Sequence, residues 1–302
     1  MMTTGRVTAV VVRWRGGREV DRCLDSLLAH GGPELARVVL VDSGSGDGGA
    51  ERLRAAFPRV EILPLPENRS FAWAASRGAD RCDGPFLLLL NPDARVEPRA
   101  LDELVSMLEH RESAAGVVPL LVNADGSSQH CWQLRRLPSV NRLALGLAGP
   151  PQFGSNPPDD PRLVAQPAAS AWLIRKFAWD SLHGLDPLFA PAWWEDVDFC
   201  ARLAAAVETG DVQLTEGFSV VPSARVVHEG GSSLGSLSDI GFLTAYHVNL
   251  LRYSERHHPN SVGLIRTGLV LSLGARALAR PARRSAYIET VRVVRGWTAE
   301  KG

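Results

Sequence analysis

Along the first ninety residues, short apolar runs alternate with stretches that repeat at a helical period. The runs VTAVVV (7–12), VVLVD (38–42), VEILPL (60–65) and PFLLLLNPD (85–93) are rich in aliphatic residues and show little polar alternation. Between them, 20–30, 49–57 and 72–81 place apolar residues three and four apart. Continuous apolar runs imply strands buried on both faces, and their alternation with helices predicts a mostly parallel sheet flanked by helices. Ligands in such sheets sit beyond the carboxyl ends of the strands. Asp42 ends the second strand, and Asn91 and Asp93 end the fourth, so these polar groups are expected at a cleft.

A helix over 98–111 follows, after which the chain reads as irregular, with a Pro/Gly-rich stretch at 146–167 expected to form a mobile loop region. Then come SAWLIRK (170–176), a helix opening within WWEDVDFCARL (193–203), the run SVVPSARVVHEGG (219–231), and a helical tail from about 238. The pattern divides the chain into an α/β domain over 1–235 and a helical tail over 236–302. On the helix after the two tryptophans, Phe199, Cys200 and Leu203 share one face, and Glu195, Asp198 and Arg202 share the opposite one. Asp196 falls on the apolar side, where an unpaired carboxylate is costly and calls for a use. In the tail, VGLIRTGLVLSLGARALA (262–279) is the most apolar helical stretch, interrupted by Arg266 and Arg276 and followed by Arg280, Arg283 and Arg284. It suits a helix lying in a membrane interface or one packed in the core, and both readings stay open.

Composition narrows the function classes. The chain has 302 residues, 45% hydrophobic and 22% charged, with a formal net charge of zero, which gives no support to a phosphate-neutralising nucleic-acid binder. Only two of the 33 basic residues are lysines; the rest are arginines, suited to forked pairing with carboxylates and phosphates. The four scattered cysteines form no CxxC or Cys/His cluster, which points to a reducing cytosol rather than to a zinc site or disulfide framework. The apolar run before Arg13 is too short for a signal peptide or a membrane span.

The loop GSGDGG (44–49) matches GxGxxG between a strand and a helix, with Glu67 near the distance expected of a ribose-binding acid. A dehydrogenase therefore has to be weighed. Asp42 and Asp47 would repel a pyrophosphate at that helix N-terminus, and the loop follows the second strand rather than the first.

The same residues, VDSGSGDGG, resemble the V-D-N-x-S-x-D-G-S segment of family 2 glycosyltransferases. PENRSFAWAASRGA, LLLLNPDARVEPRAL, SAWLIRK, WWEDVDFCARL and ARVVHEGGSS resemble further segments of that family, in order. The likeness runs from about Val7 to Ser233, continues weakly through YHVNLLRYSERHHP, and is greatest for the rhamnosyltransferase-like branch that builds bacterial surface polysaccharides. The resemblance implies a GT-A α/β fold and inverting transfer from a nucleotide-diphosphate sugar, such as dTDP-rhamnose or a UDP-sugar, to a hydroxyl of a glycan or lipid-linked glycan. It implies Asp196 as general base, a donor site of Val12, Asp42, Ser43, Arg69, Asn91 and Asp93, and an acceptor site of Trp193, Trp194 and Glu195. Asp93 and His228 would hold Mg2+ or Mn2+. The expected setting is the cytoplasm, with peripheral contact at the inner face of the cell membrane.

The chain departs from the family pattern in four places. Arg13, Trp14 and Arg15 stand where N-Y-N is usual, Asn91-Pro92-Asp93 replaces D-x-D, Ser70 replaces a glycine, and Ser76-Arg77-Gly78 lacks the usual asparagine. These departures keep a second reading in play, a degenerate sugar-nucleotide-binding protein without catalysis.

Overall fold

The computed structural model describes residues 5–230 and 238–298; the end of the ARVVHEGGSS segment, 231–233, lies outside the described residues. The first half contains β1 (Val7–Arg13), α1 (Arg18–His30), β2 (Leu35–Ser43), α2 (Gly49–Ala56), β3 (Glu61–Leu65), α3 (Phe71–Ala79) and β4 (Phe86–Leu90). Next come β5 (Ala94–Val96), α4 (Ala100–His110), β6 (Ala114–Val122), α5 (His130–Gln133), β7 (Leu134–Arg135), α6 (Val140–Ala144), β8 (Arg162–Val164) and β9 (Gln166–Pro167). The chain then forms β10 (Ala171–Arg175), α7 (Lys176–Ser181), α8 (Glu195–Thr209), β11 (Glu216–His228), α9 (Asp239–His257), α10 (Val262–Ala279) and α11 (Arg284–Gly296).

The central sheet has the order β3-β2-β1-β4-β10-β6-β11-β5, with β8 also on β11. The alternating first half forms the expected parallel block, β3-β2-β1-β4. β6 and β11 run in the same direction, paired parallel to each other, so the sheet is mostly parallel; β10 runs against both β4 and β6, and β5 and β8 run against β11. The direction of those three strands follows from the connections that lead into them, which a local pattern does not encode.

β6 lies in a region expected to be irregular, yet every residue of AAGVVPLLV is buried. Gly116 and Pro119 disguise it. A Cβ at Gly116 would meet the Phe218 ring at 2.6 Å, so the glycine permits close packing. Pro119 is tolerated where the register between β11 and β6 shifts, between Val221 and Arg225, so the ladder does not need its missing N–H. The 146–167 stretch is tied down rather than free: the Gln152 side chain donates to Leu163 O and accepts from Ala165 N, and Arg136 N donates to Pro150 O.

Two apolar layers cover the two faces of the sheet. A third joins the tail to the rest: Leu143, Trp194, Val197 and Ala201 pack with Leu250, Tyr253, Leu269 and Leu273. The polar face of α8 consequently meets α9 instead of water. Asp198 is fully buried, bonded by Arg202 at 2.7 Å, by Arg256 at 2.9 Å and by His257 at 2.9 Å. Burial pushes its carboxyl up, but these three partners more than offset that, and the net shift is downward.

Candidate active site

A cavity of about 530 Å3 opens at the carboxyl ends of β1, β2 and β4, within the size range of small-molecule sites. Val12 and Ser43 line it from β1 and β2, Asn91 and Asp93 from the turn after β4, and His228 from the end of β11. Trp193, Trp194, Glu195 and Asp196 line it from the start of α8.

The antiparallel pairing of β11 with β5 sets His228 opposite Ala94, so His228 falls beside Asp93. Their Nε2 and Oδ1 atoms are 3.5 Å apart, and both side chains are only 6% exposed. The ring is oriented by Gln129, a residue the sequence reading did not single out. Gln129 Nε2 donates to Asn123 Oδ1 at 2.7 Å and to His228 O at 2.8 Å, so its Oε1 is left facing His228 Nδ1 at 3.0 Å. In the neutral imidazole Nδ1 must then be the donor, and Nε2 turns its lone pair toward Asp93. Trp132 stacks on the same ring, 5.4 Å between centroids and 14° from parallel.

A carboxylate oxygen and an imidazole lone pair facing one another at this spacing fit two adjacent positions around one small divalent cation. Among the described residues no group of three or more His, Cys, Asp or Glu forms a ready cage. With only these two donors from the protein, the other positions around such a cation would be filled by substrate phosphates and water.

Also lining the cavity, the start of α8 follows two residues with left-handed backbone, Trp193 (φ 71°) and Trp194 (φ 79°). Two consecutive tryptophans in this region are strained and need external support. Asn249 of α9, fully buried, supplies it by donating from Nδ2 to Ala190 O, Ala192 O and Trp193 O at 3.0 to 3.2 Å. Asp196 thereby sits in the first turn of α8, with Oδ1 accepting from Val197 N at 2.8 Å and Oδ2 accepting from Gln166 Nε2 at 3.2 Å. Arg135 stands 4.0 Å from Oδ2. Burial raises the Asp196 pKa above the ordinary carboxylate range, and Arg135 partly opposes the shift. A raised pKa makes a carboxylate a better proton acceptor.

Glu195 is more deeply buried, and its Oε2 has no hydrogen-bond partner. Burial first, and the neighbouring Asp196 charge second, hold its carboxyl well above the usual range. A carboxyl raised in this way stabilises the fold while protonated and loses that contribution as pH rises through the folded-state pKa. Thermal melting should therefore show Glu195→Gln gaining stability relative to wild type as pH is raised from 5 to 8; a difference that does not change with pH would contradict this.

Two residues expected in the donor site, Asp42 and Arg69, do not line the cavity. Asp42 is 5% exposed and engaged beneath it, where Oδ2 accepts from Arg13 at 2.7 Å and Oδ1 from Ser45 N at 3.1 Å. Arg69 points outward, paired with Glu67 at 2.6 Å and lying over the Trp73 ring. The RWR departure explains the first of these. Arg13 is buried and bridges Asp42 and Asp47, while Trp14 lines the cavity. The same arginine disposes of the dinucleotide reading of GSGDGG. Its guanidinium lies where a Cβ on Gly49 would be, 2.4 Å from Nη1, so the N-terminus of α2 is filled by the Arg13–Asp47 pair instead of open to a pyrophosphate.

Comparisons with known proteins agree with this geometry. The family model for Glycosyl transferase family 2 matches residues 9–179. The chain is 27% identical over 278 residues to an N-acetylglucosaminyl-diphospho-decaprenol L-rhamnosyltransferase of Mycobacterium tuberculosis (strain CDC 1551 / Oshkosh), covering 84% of this chain and 86% of the relative. It is 31% identical over 148 residues to the succinoglycan biosynthesis protein ExoO of Rhizobium meliloti (strain 1021), covering 46% of this chain and 41% of that one. In fold it is similar to the crystal structure of GalNAc-T7 with UDP, GalNAc and Mn2+, with a TM-score of 0.63 and 16% identity. That likeness covers 83% of this chain but only about half of the other, 48%. With more than half of its residues inside the family model, on the mixed α/β fold expected of GT-A enzymes, the chain belongs to glycosyl transferase family 2 and is a glycosyltransferase.

Proposed function

We propose that the protein transfers a sugar, with inversion, from a nucleoside-diphosphate donor to a hydroxyl of a glycan or lipid-linked glycan in bacterial polysaccharide assembly. The observation that carries this reading is one cavity lined by both a raised-pKa carboxylate, Asp196, and the Asp93–His228 pair. The rhamnosyltransferase relative, whose name specifies a decaprenol-linked N-acetylglucosamine, supports a lipid-linked acceptor and a deoxyhexose donor.

In this mechanism Asp196 takes the proton of the acceptor hydroxyl while that oxygen attacks the anomeric carbon. The bond from that carbon to the diphosphate oxygen breaks, and the nucleoside diphosphate leaves from the opposite face. Gln166 and Arg135 hold the Asp196 carboxylate in place, and Arg135 partly opposes the rise of its pKa. Asp93 and His228 would hold the divalent cation, which when bound neutralises charge developing on the leaving diphosphate. Trp14 and Ser43 sit at the β1–β2 end, where an aromatic face and a hydroxyl suit a nucleoside. Trp193 and Glu195 lie beside the base, where the acceptor sugar belongs. Asp42 and Arg69 act in this reading by shaping the loops around the nucleoside rather than by touching it.

Calorimetry with dTDP-, UDP- and GDP-sugars, followed by turnover of the donor that binds, tests the reading. Binding with no transfer to any glycan acceptor would favour the non-catalytic alternative. Asp93→Ala should weaken binding of the nucleoside diphosphate more than of the free nucleoside, and Gln129→Leu should weaken Mn2+ binding, read by paramagnetic resonance, by at least about tenfold. Unaltered Mn2+ affinity in both variants would remove this pair from any metal site.

A further inference from the structure

The helix over 262–279 has two apolar sides, one packed into the core and one facing outward. Ile265, Leu269, Leu273 and Ala277 of α10 are buried against the rest of the molecule. On the outer side Leu264, Leu271 and Leu278 are 64%, 69% and 77% exposed. Seven-residue spacing keeps these leucines within about 40° of one another around the axis, along a helix of about 27 Å. The exposed positions among them, Thr267 and Ala275, are uncharged. The arginines that interrupt the run in sequence bond back onto the protein, Arg266 to Trp297 O and Arg276 to Leu145 O. An outward apolar stripe of this length on a folded protein marks a binding surface.

We propose that this stripe docks on an anionic lipid bilayer, with α10 lying in the plane of the interface. Charge decides for a bilayer over a second copy of the chain. Across 238–298 there are nine arginines and three acids; Arg256 is taken up by Asp186 and Asp198, Arg283 by Asp239 and Arg292 by Glu289. Arg280 and Arg284, exposed at the end of the stripe, are left for headgroups, and a cationic surface is not complementary to itself. The position also suits the proposed reaction, on which only the purpose of docking rests. Arg276 and Ser272 hold the carbonyl of Leu145, which is itself 52% exposed, and Ala148, three residues on, lines the cavity. The segment bonded to α10 is thus about 10 Å of chain from the cavity lining, which suits an acceptor carried on a lipid.

The direct test is co-sedimentation of the full chain with phosphatidylglycerol/phosphatidylcholine vesicles and with phosphatidylcholine vesicles alone. Truncation before Ser261 is a poor control, since it would strip Ile265, Leu269 and Leu273 from the core. The control is instead the triple variant Leu264→Ser, Leu271→Ser, Leu278→Ser, with Arg280→Gln/Arg284→Gln as an independent second variant on exposed side chains. Wild type should bind the anionic vesicles, bind the neutral ones at least tenfold more weakly, and release at high salt. Each variant should lose at least about tenfold in binding with an unchanged melting temperature. Wild type that stays in the supernatant, or a leucine variant that binds like wild type, overturns the proposal. So does a wild-type dimer, seen by ultracentrifugation, that the leucine substitutions convert to monomer. None of these measurements involves sugar transfer, so their failure would leave the transferase reading standing.

Discussion

Asp196→Asn is expected to lower turnover by at least about a hundredfold, the scale of losing a positioned general base, while donor affinity stays nearly unchanged. Asparagine preserves the shape of the side chain and its contact with Gln166. It cannot accept the hydroxyl proton. The donor should be affected little, because the diphosphate is assigned to Asp93 and His228 rather than to Asp196. Initial rates, together with calorimetric titration of the nucleoside diphosphate, separate the two effects. The pH profile adds a further constraint. Activity of the wild type should rise as pH increases through the raised Asp196 pKa, so the acid limb of kcat/KM should lie above the ordinary aspartate value of about 4. Turnover that survives the substitution would remove Asp196 from the reaction.

The second large effect is expected on stability. Asp198→Asn leaves Arg202, Arg256 and His257 around a neutral group inside the α8–α9 contact. Breaking a buried ion cluster from one side costs about 3–5 kcal/mol, or on the order of 10 °C in melting temperature for a chain of this size. The cost should depend on pH in a defined sense. Because the folded Asp198 pKa is depressed, its stabilisation is fully present above the unfolded value of about 4 and is lost as pH falls through the folded value. The gap between wild type and variant in melting experiments should therefore narrow on acidification below that point. A gap of less than about 1 kcal/mol at pH 7 would mean that the cluster is surface-like in energy despite its burial.

The parallel block at the front of the fold was legible because its apolar strands alternate with helical periods, and β1 and β4 at its centre are apolar and buried throughout, so that composition marks them. Strand β6 was not, because the glycine and proline that read as punctuation are accommodated by the Phe218 ring and by a register shift in β11, both about a hundred residues away. The order of motifs pointed to the site, and the structure gathers Val12, Ser43, Asn91, Asp93, Trp193, Trp194, Glu195, Asp196 and His228 around one cavity. Gln129 left only a faint signal, an isolated amide after a turn, since its importance comes from lying across from His228.

Asp196 shows the division most clearly. Its sequence identifies a carboxylate on the apolar side of an amphipathic helix, and that is a local property, set by the 3.6-residue period. The period also placed Glu195, Asp198 and Arg202 on a common polar face. What it could not contain is that α9 covers this face, burying Asp198 among two arginines and a histidine and turning Asn249 onto the strained tryptophans that aim Asp196. Likewise, hydropathy made 262–279 an apolar helix, and packing alone decided that four of its residues are core while three leucines face outward. Periodicity and composition act within a few turns of chain and were readable from the sequence; desolvation, pairing of buried charges and the choice of exposed face depend on partners that only the folded chain brings into contact.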